Sequence, residues 1–452
     1  EFDVTDCRDE YAGEIWSEPF DGEVSRVLLG PDQYAIYWLT AIPVLDAAAH
    51  PGARFEIRGE YPDSRYFSFH SYDDVGVLID HRDDVSLVPD AGSVNPFTSG
   101  QGYPPVGTPV SYRLFIQDVP PEEQIHEPGE NVLFGGYLPT GEAVPANQIV
   151  YRIYVPSDPS ERTGGVPVPR VYYVFDPAQA GSSTPTTKEA ACALFPPIAI
   201  DATALAEAEQ NAEANVEFFY SKPYRPFPGY DPANPVQWFV GESFLGILDQ
   251  AFEVIPDNVI PTKDEAGVYL NYSQEYIAAF LDPTQLVNKI TVVRFKAAVT
   301  PKNELGQPIV PGAFQTRYWS ACVHQTVNYN WLYGCVHDNQ FVRDADAPNY
   351  VTIVFSRSED RPSGLCTHLT GTPLPSGCKY NWLPYASSVP LVLIRHMLPE
   401  TNFPESPVYY AADPDTDPYD SAALAAWMGE YYPKTKYCTK WQFQLNRCGM
   451  KP

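Results

Sequence analysis

Apolar and polar residues alternate along this chain in short stretches broken by proline and glycine, the period-two pattern of half-buried β-strands. The stretch from Arg54 to Asp74, RFEIRGEYPDSRYFSFHSYDD, holds two such runs. Tyr61-Pro62-Asp63-Ser64 between them has turn chemistry and predicts a hairpin. Further strands are predicted at Tyr34–Thr40, Tyr112–Gln117, 131–137, 149–155 and Val171–Phe175. Later strands are expected at Ile290–Ala297, Thr316–Val323, Tyr350–Phe355 and Val389–Leu398.

The pattern recurs. Arg65-Tyr66-Phe67-Ser68 returns as Arg317-Tyr318-Trp319-Ser320, an offset of 317 − 65 = 252 positions. The strand Val150–Pro156 carries Arg152 and ends in proline, as Leu393–Pro399 does with Arg395, an offset of 395 − 152 = 243. Two matched pairs in one order at nearly one offset predict a repeated β module.

Helical signals are few. Asp201 followed by ATALAEAEQNAEANVEFF over 202–219 predicts a capped helix. Lys222–Pro235 is too rich in proline for regular structure, and helical patches are expected at Ser243–Phe252, Ser273–Leu281 and Ser421–Glu430. The fold class read from these patterns is mainly β, with two similar β-sandwich or jelly-roll modules. They span residues 1–184 and 289–452, joined by a helical, proline-rich connector over 185–288.

Composition narrows the function classes. The chain has 452 residues and a formal charge of −28. So acidic a protein is a poor match for nucleic acid or for an anionic membrane. No run approaches the roughly eighteen apolar residues of a membrane span. The eight cysteines contain no CxxC pair. Cys322 with Cys335, Cys366 with Cys378 and Cys438 with Cys448 are close in sequence, which leaves Cys7 for Cys192. Four disulfides imply an oxidising, extracellular home. With no initiator Met and no signal peptide, the sequence reads as a mature secreted chain, carrying one glycosylation sequon at Asn271-Tyr272-Ser273.

The later motifs Arg317-Tyr-Trp-Ser, Val351-Thr-Ile-Val-Phe-Ser, Asn381-Trp-Leu-Pro384 and Val392–Pro399 resemble a family. It comprises secreted proteins related to the domain of unknown function twelve-fourteen, often preceded by a partner β domain. The resemblance covers residues 289–400 and, more weakly, 30–156. It implies a β-sandwich and secretion, and no reaction or catalytic residue.

Candidate chemistry is sparse. Three Cys-x-His steps occur, and a Cys322–Cys335 bridge between paired strands is expected to bring His324 near His337 as ligands for Cu or Zn. His70 and His81 flank Asp73, Asp74 and Asp80, an acid–base or calcium pattern. Asp413, Asp415 and Asp417 alternate as in a calcium loop without the EF-hand glycine and glutamate. Each group has a plain alternative as solvated or structural polar residues. Arg152 and Arg395 lie in apolar strands and call for carboxylate partners.

The leading expectation is a secreted protein that binds a carbohydrate or another polyhydroxylated or aromatic compound in an aromatic-lined cleft between the modules. Its contacts would be Tyr66, His70, Tyr72, Arg152, Tyr318, Trp319 and Arg395, with His324 beside them. The alternatives are a secreted hydrolase or lyase, a His-ligated metal oxidoreductase, or a structural matrix protein. The expected partner is a small molecule or glycan, and the oligomeric state stays open.

Overall fold

A computed structural model of the chain describes residues 1–7, 15–17, 19–21, 32–74, 76–195, 236–241, 271–282, 286, 288–301, 309–325, 332–368, 374, 376–385 and 390–450. The predicted helices at 202–219 and 243–252 and the segment 222–235 lie outside these residues.

In the first half the strands are β1 (Phe2–Asp3), β2 (Phe20–Asp21), β3 (Ala35–Pro43), β4 (Ala53–Glu60), β5 (Ser64–Tyr72), β6 (Leu78–Asp83), β7 (Ser111–Asp118), β8 (Val132–Gly135), β9 (Ala146–Pro156) and β10 (Arg170–Phe175). They form an outer sheet in the order β1-β10-β4-β7-β8 and an inner sheet in the order β2-β3-β9-β5-β6. The two sheets pack face to face as a sandwich. Phe55, Ile57, Leu114 and Tyr173 of the outer sheet meet Trp38, Phe67, Phe69, Tyr151 and Ile153 of the inner one in a single core. Alternation selects those residues, because every second side chain of a strand faces the same layer.

The second half has β11 (Phe239–Val240), β12 (Gln274–Phe280), β13 (Ile290–Lys296), β14 (Thr316–Gln325), β15 (Leu332–His337), β16 (Arg343–Asp344), β17 (Ala347–Ser356), β18 (Cys366–Thr367), β19 (Asn381–Pro384), β20 (Pro390–Pro399) and β21 (Lys434–Cys438). Its inner sheet runs β11-β12-β20-β14-β15 and its outer sheet β18-β19-β17-β13-β21. The inner sheets have the same strand order, and in the outer sheets β21-β13-β17-β19 follows β10-β4-β7-β8, while β1, β16 and β18 have no counterpart among the described residues. Even the parallel pairs correspond, β7 with β8 and β17 with β19. Ser68 faces Arg152 in one register and Ser320 faces Arg395 in the other. The register slips at Ser71/Tyr72 and again at Val323/His324. Val155 and Leu398, each followed by proline, both take left-handed backbone, with φ of 47° and 45°. Branched or bulky residues rarely adopt that conformation, so its recurrence marks equivalent chain bends.

The two sandwiches stack through their inner sheets. Tyr37, Tyr66, Tyr72, Val150 and Tyr154 pack with Tyr318 and Met397 in a core of their own. All nine residues of β5 are buried for this reason, since the strand has a protein layer on each face. At the centre the halves exchange charges. Arg65 donates to Asp338 at 2.8 Å and to the carbonyl of Arg317 at 3.2 Å. Arg317 donates to Asp84 at 3.2 Å and to the carbonyl of Arg65 at 3.5 Å.

The two exchanged pairs titrate oppositely. Burial would raise Asp338, but Arg65, His337 and Thr300 together hold it down at about 2. Burial pushes Asp84 up to about 7 against the opposing charge of Arg317. Stability from Asp338 is therefore full above the ordinary carboxyl value of about 4 and is lost as pH falls through about 2. Stability linked to Asp84 is present below about 4 and is lost as pH rises through about 7. Denaturation of Asp338→Asn across acid pH is expected to give a flatter acid limb than the parent chain. An unchanged limb would show that other groups carry it.

Several expectations need correction. β4 and β5 do not form a hairpin, because Tyr61–Asp63 carries the chain from the outer sheet to the inner one. Turn chemistry marks a reversal without saying which sheet receives the next strand. Residues 274–280 are strand, not helix, held between β11 and β20 by ladders on both edges. The module borders also move. Ala191 and Phe195 pack in the first core and β11 and β12 belong to the second half, so the connector is shorter than 185–288. The four predicted disulfides are all present, as Cys7–Cys192, Cys322–Cys335, Cys366–Cys378 and Cys438–Cys448.

Candidate functional site

The structure gathers most of the predicted ligand contacts between the halves, but it closes them in. Tyr66, His70, Tyr72, Arg152, Tyr318 and Arg395 are all at most 2% exposed, so they face protein rather than an open cleft. Trp319 points the other way, into the second core, where it stacks on Phe341. Around Arg395 the seam is organised by Asp32, a residue that sequence reading passed over. Asp32 lies just before β3 and is fully buried. Its Oδ2 accepts from Tyr318 Oη at 2.6 Å, from Ser320 Oγ at 2.8 Å and from the Arg395 guanidinium. Its Oδ1 accepts from the Tyr34 amide at 2.9 Å. At the twin position before β12, Asn271 Oδ1 accepts from Tyr66 Oη at 3.3 Å and from the Ser273 amide at 3.1 Å. Asn271 is 3% exposed, so a glycan on this sequon does not fit the folded chain. Arg152 donates to Tyr72 Oη at 2.7 Å.

The histidine pairings come out differently from the sequence expectation. The Cys322–Cys335 bridge forms, but His324 lies opposite Leu332 and His337 opposite Ser320. In an antiparallel pair, stepping two residues forward on both strands moves apart, here by about 14 Å at roughly 3.4 Å per residue. His324 and His337 therefore do not share a metal. His70 and His81 are cross-strand partners, and they occupy in the first half the place that the disulfide occupies in the second. Their ring centroids are 5.4 Å apart. Burial, and then the charge of Arg152, push the His70 imidazole well below its ordinary range. Asp32 also lies near the sulfurs of Cys322 and Cys335, but disulfide sulfurs are not thiolate ligands.

The acidic motifs serve the local backbone. Asp413 and Asp417 accept from the amides of Asp415 and Tyr419, at 3.0 and 2.9 Å. Asp420 caps the helix α1 (Ser421–Met428). These turns shape the backbone at Asp413, Asp415 and Asp417, the predicted calcium loop. Asp80 does meet an imidazole, but it is that of His126, at 2.9 Å. The other nitrogen of His126 sits 2.5 Å from Arg82. Both nitrogens of His126 are thus engaged within the protein.

A concave surface lies elsewhere, on the outer face of β4, β7 and β8, in a groove of about 730 Å³. Since Phe55 and Ile57 of β4 turn inward, Arg54, Glu56 and Arg58 turn outward; β7 likewise presents Arg113, Phe115 and Gln117. Register sets Glu56 between Phe115 on β7 and Tyr172 on β10. Its Oε1 accepts from Arg54 at 2.8 Å and its Oε2 from Arg58 at 2.7 Å. The Arg54 guanidinium lies 4.6 Å from the Phe115 ring centre, and that of Arg58 lies 4.1 Å from that of Tyr172. One wall of the groove is Asp90, which accepts from Arg113 at 3.0 Å and from Ser111 at 3.0 Å. Asn131 binds both backbone groups of Val88 and ties this wall to the loop 129–131 before β8. Planar polar groups thus surround a partly open aromatic ring on rigid strands.

No protein-family model matches the chain, and no curated protein matches it. Among solved structures, it is similar to an uncharacterized protein from Burkholderia cenocepacia, at 10% identity and a TM-score of 0.43, over 94% of this chain and 82% of that one. A protein from Vibrio parahaemolyticus is similar at 12% identity and a TM-score of 0.34, over 90% of each chain. Neither likeness bears on function.

Proposed function

We propose that this is a secreted binding protein which holds a carbohydrate or similar polyhydroxylated ligand in the groove over β4, β7 and β8. The observation that carries the reading is the setting of Phe115. Its ring stands in the groove among Arg54, Arg113, Asp90 and Gln117, and the two arginines already have carboxylate neighbours. Such a surface is nearly neutral locally, rich in donors and acceptors, and carries an apolar face for a sugar ring. Four disulfides support an extracellular setting. The test is a glycan array with the full chain, followed by calorimetry on any glycan bound. Phe115→Ala and Arg113→Ala are each expected to weaken binding about tenfold or more while the melting temperature stays nearly constant. An array without binders, or a binder indifferent to both changes, defeats the proposal.

A further inference from the structure

The C-terminal segment combines an exposed apolar pair with a local excess of basic residues. The helix α2 (Lys440–Asn446) buries Phe443 against a cluster that includes Ile290, Val292, Val354 and Trp382. Its opposite face leaves Trp441 72% and Leu445 77% exposed, one helical turn apart. From Lys434 to Pro452 the sequence also has five basic residues (Lys434, Lys436, Lys440, Arg447 and Lys451) and no acidic one, within a chain of charge −28. Lys434 and Lys436 project outward from β21, an edge strand, while Thr435 between them is buried. Lys440 is exposed on the first turn of the helix. Arg447 is engaged by Asp346, and nearby Glu430 is held by Lys296 and Tyr350.

We propose that this segment docks the protein on an anionic lipid surface. Trp441 and Leu445 would enter the headgroup layer, and Lys434, Lys436 and Lys440 would meet the lipid phosphates and carboxylates. The inference is independent of the groove on the first sandwich. The apolar pair is held in place beforehand: the Cys438–Cys448 disulfide closes the segment around the helix, and Thr439 with Gln442 forms a capping box at its start. Little ordering is then left to binding. The net charge of the chain, which makes its surface as a whole a poor match for an anionic membrane, acts only weakly on this patch, because exposed charges beyond about 8 Å are largely screened at physiological ionic strength. The local patch decides, and each lysine near an anionic surface contributes about fivefold in binding. Tryptophan at the headgroup level and lysines around it are the side chains that such an interface favours.

Vesicle co-sedimentation of the full chain tests it. Binding is expected to vesicles of phosphatidylcholine with phosphatidylserine and not to phosphatidylcholine alone, and it is expected to weaken as salt is raised. The Trp441→Ser/Leu445→Ser variant and the Lys434→Glu/Lys436→Glu/Lys440→Glu variant should each lose about tenfold or more of that binding. All five positions are exposed, so unchanged thermal melting is the control for folding. Absence of binding to anionic vesicles, or equal binding by parent and variants, overturns the proposal. Concentration-dependent self-association that Trp441→Ser abolishes, without vesicle binding, also overturns it and gives the patch to a second copy of the chain.

Discussion

Replacing Asp32 with asparagine is expected to destabilise the protein by about 3–5 kcal/mol, the range for removing one charge of a buried pair. Asp32 has no exposed surface, and Arg395 is 1% exposed. The carboxylate gathers Tyr318, Ser320 and Arg395 from the second half onto a residue of the first. Asparagine keeps the size but has one acceptor oxygen where the carboxylate uses two, Oδ1 for Tyr34 and Oδ2 for Tyr318, Ser320 and Arg395, so the substitution removes the charge together with one acceptor. The twin position shows that the amide fits, since Asn271 there accepts from Tyr66. Ser320→Ala is the control and should cost less, about 1.5–3 kcal/mol, the net worth of a hydrogen bond to a charged group. Urea denaturation of the two variants measures both. A loss of under about 1 kcal/mol for Asp32→Asn would mean that the pair is no better than its desolvation cost.

The second large effect concerns Cys7 and Cys192. This bridge spans 185 residues, whereas Cys438–Cys448 spans 10. Chain-entropy estimates give about 5 kcal/mol for closing so long a loop, and removal of native bridges in practice costs about 2–5 kcal/mol. β1 adds a short ladder with β10 and Val4 enters the first core, and the bridge then ties the residues that follow to Cys192. The Cys7→Ser/Cys192→Ser variant is expected to lose more stability than Cys438→Ser/Cys448→Ser. The reverse order would count against a loop-entropy origin.

Much of the fold was legible in the sequence. Arg65-Tyr-Phe-Ser and Arg317-Tyr-Trp-Ser do lie on corresponding strands, and the arginines Arg152 and Arg395 do face corresponding serines. Alternation found those strands because their inward residues are large and apolar. It failed at β12, where Tyr276, Ile277 and Phe280 also fit a helical spacing and only the neighbouring ladders decide. The candidate site was less legible, for a physical reason. Tyr66, His70 and Tyr72 sit on the polar-looking face of β5, which sequence alone assigns to solvent or ligand; in the fold that face is covered by the other sandwich. Asp32 gave no signal of its own, being a lone carboxylate ahead of a strand. The groove did have a signal in the run Arg113-Leu-Phe115-Ile-Gln117, which places an aromatic ring between polar side chains on the outward face.

The crossed arginines also order events in time. Arg65 is made early on the ribosome, but its countercharge, Asp338, is 273 residues further along the chain. Until that residue emerges, the first half has a guanidinium on its inner face with this neutralising carboxylate still unmade, and the surface meant for its twin is open. The nascent chain therefore completes its middle layer only after the second half has been made.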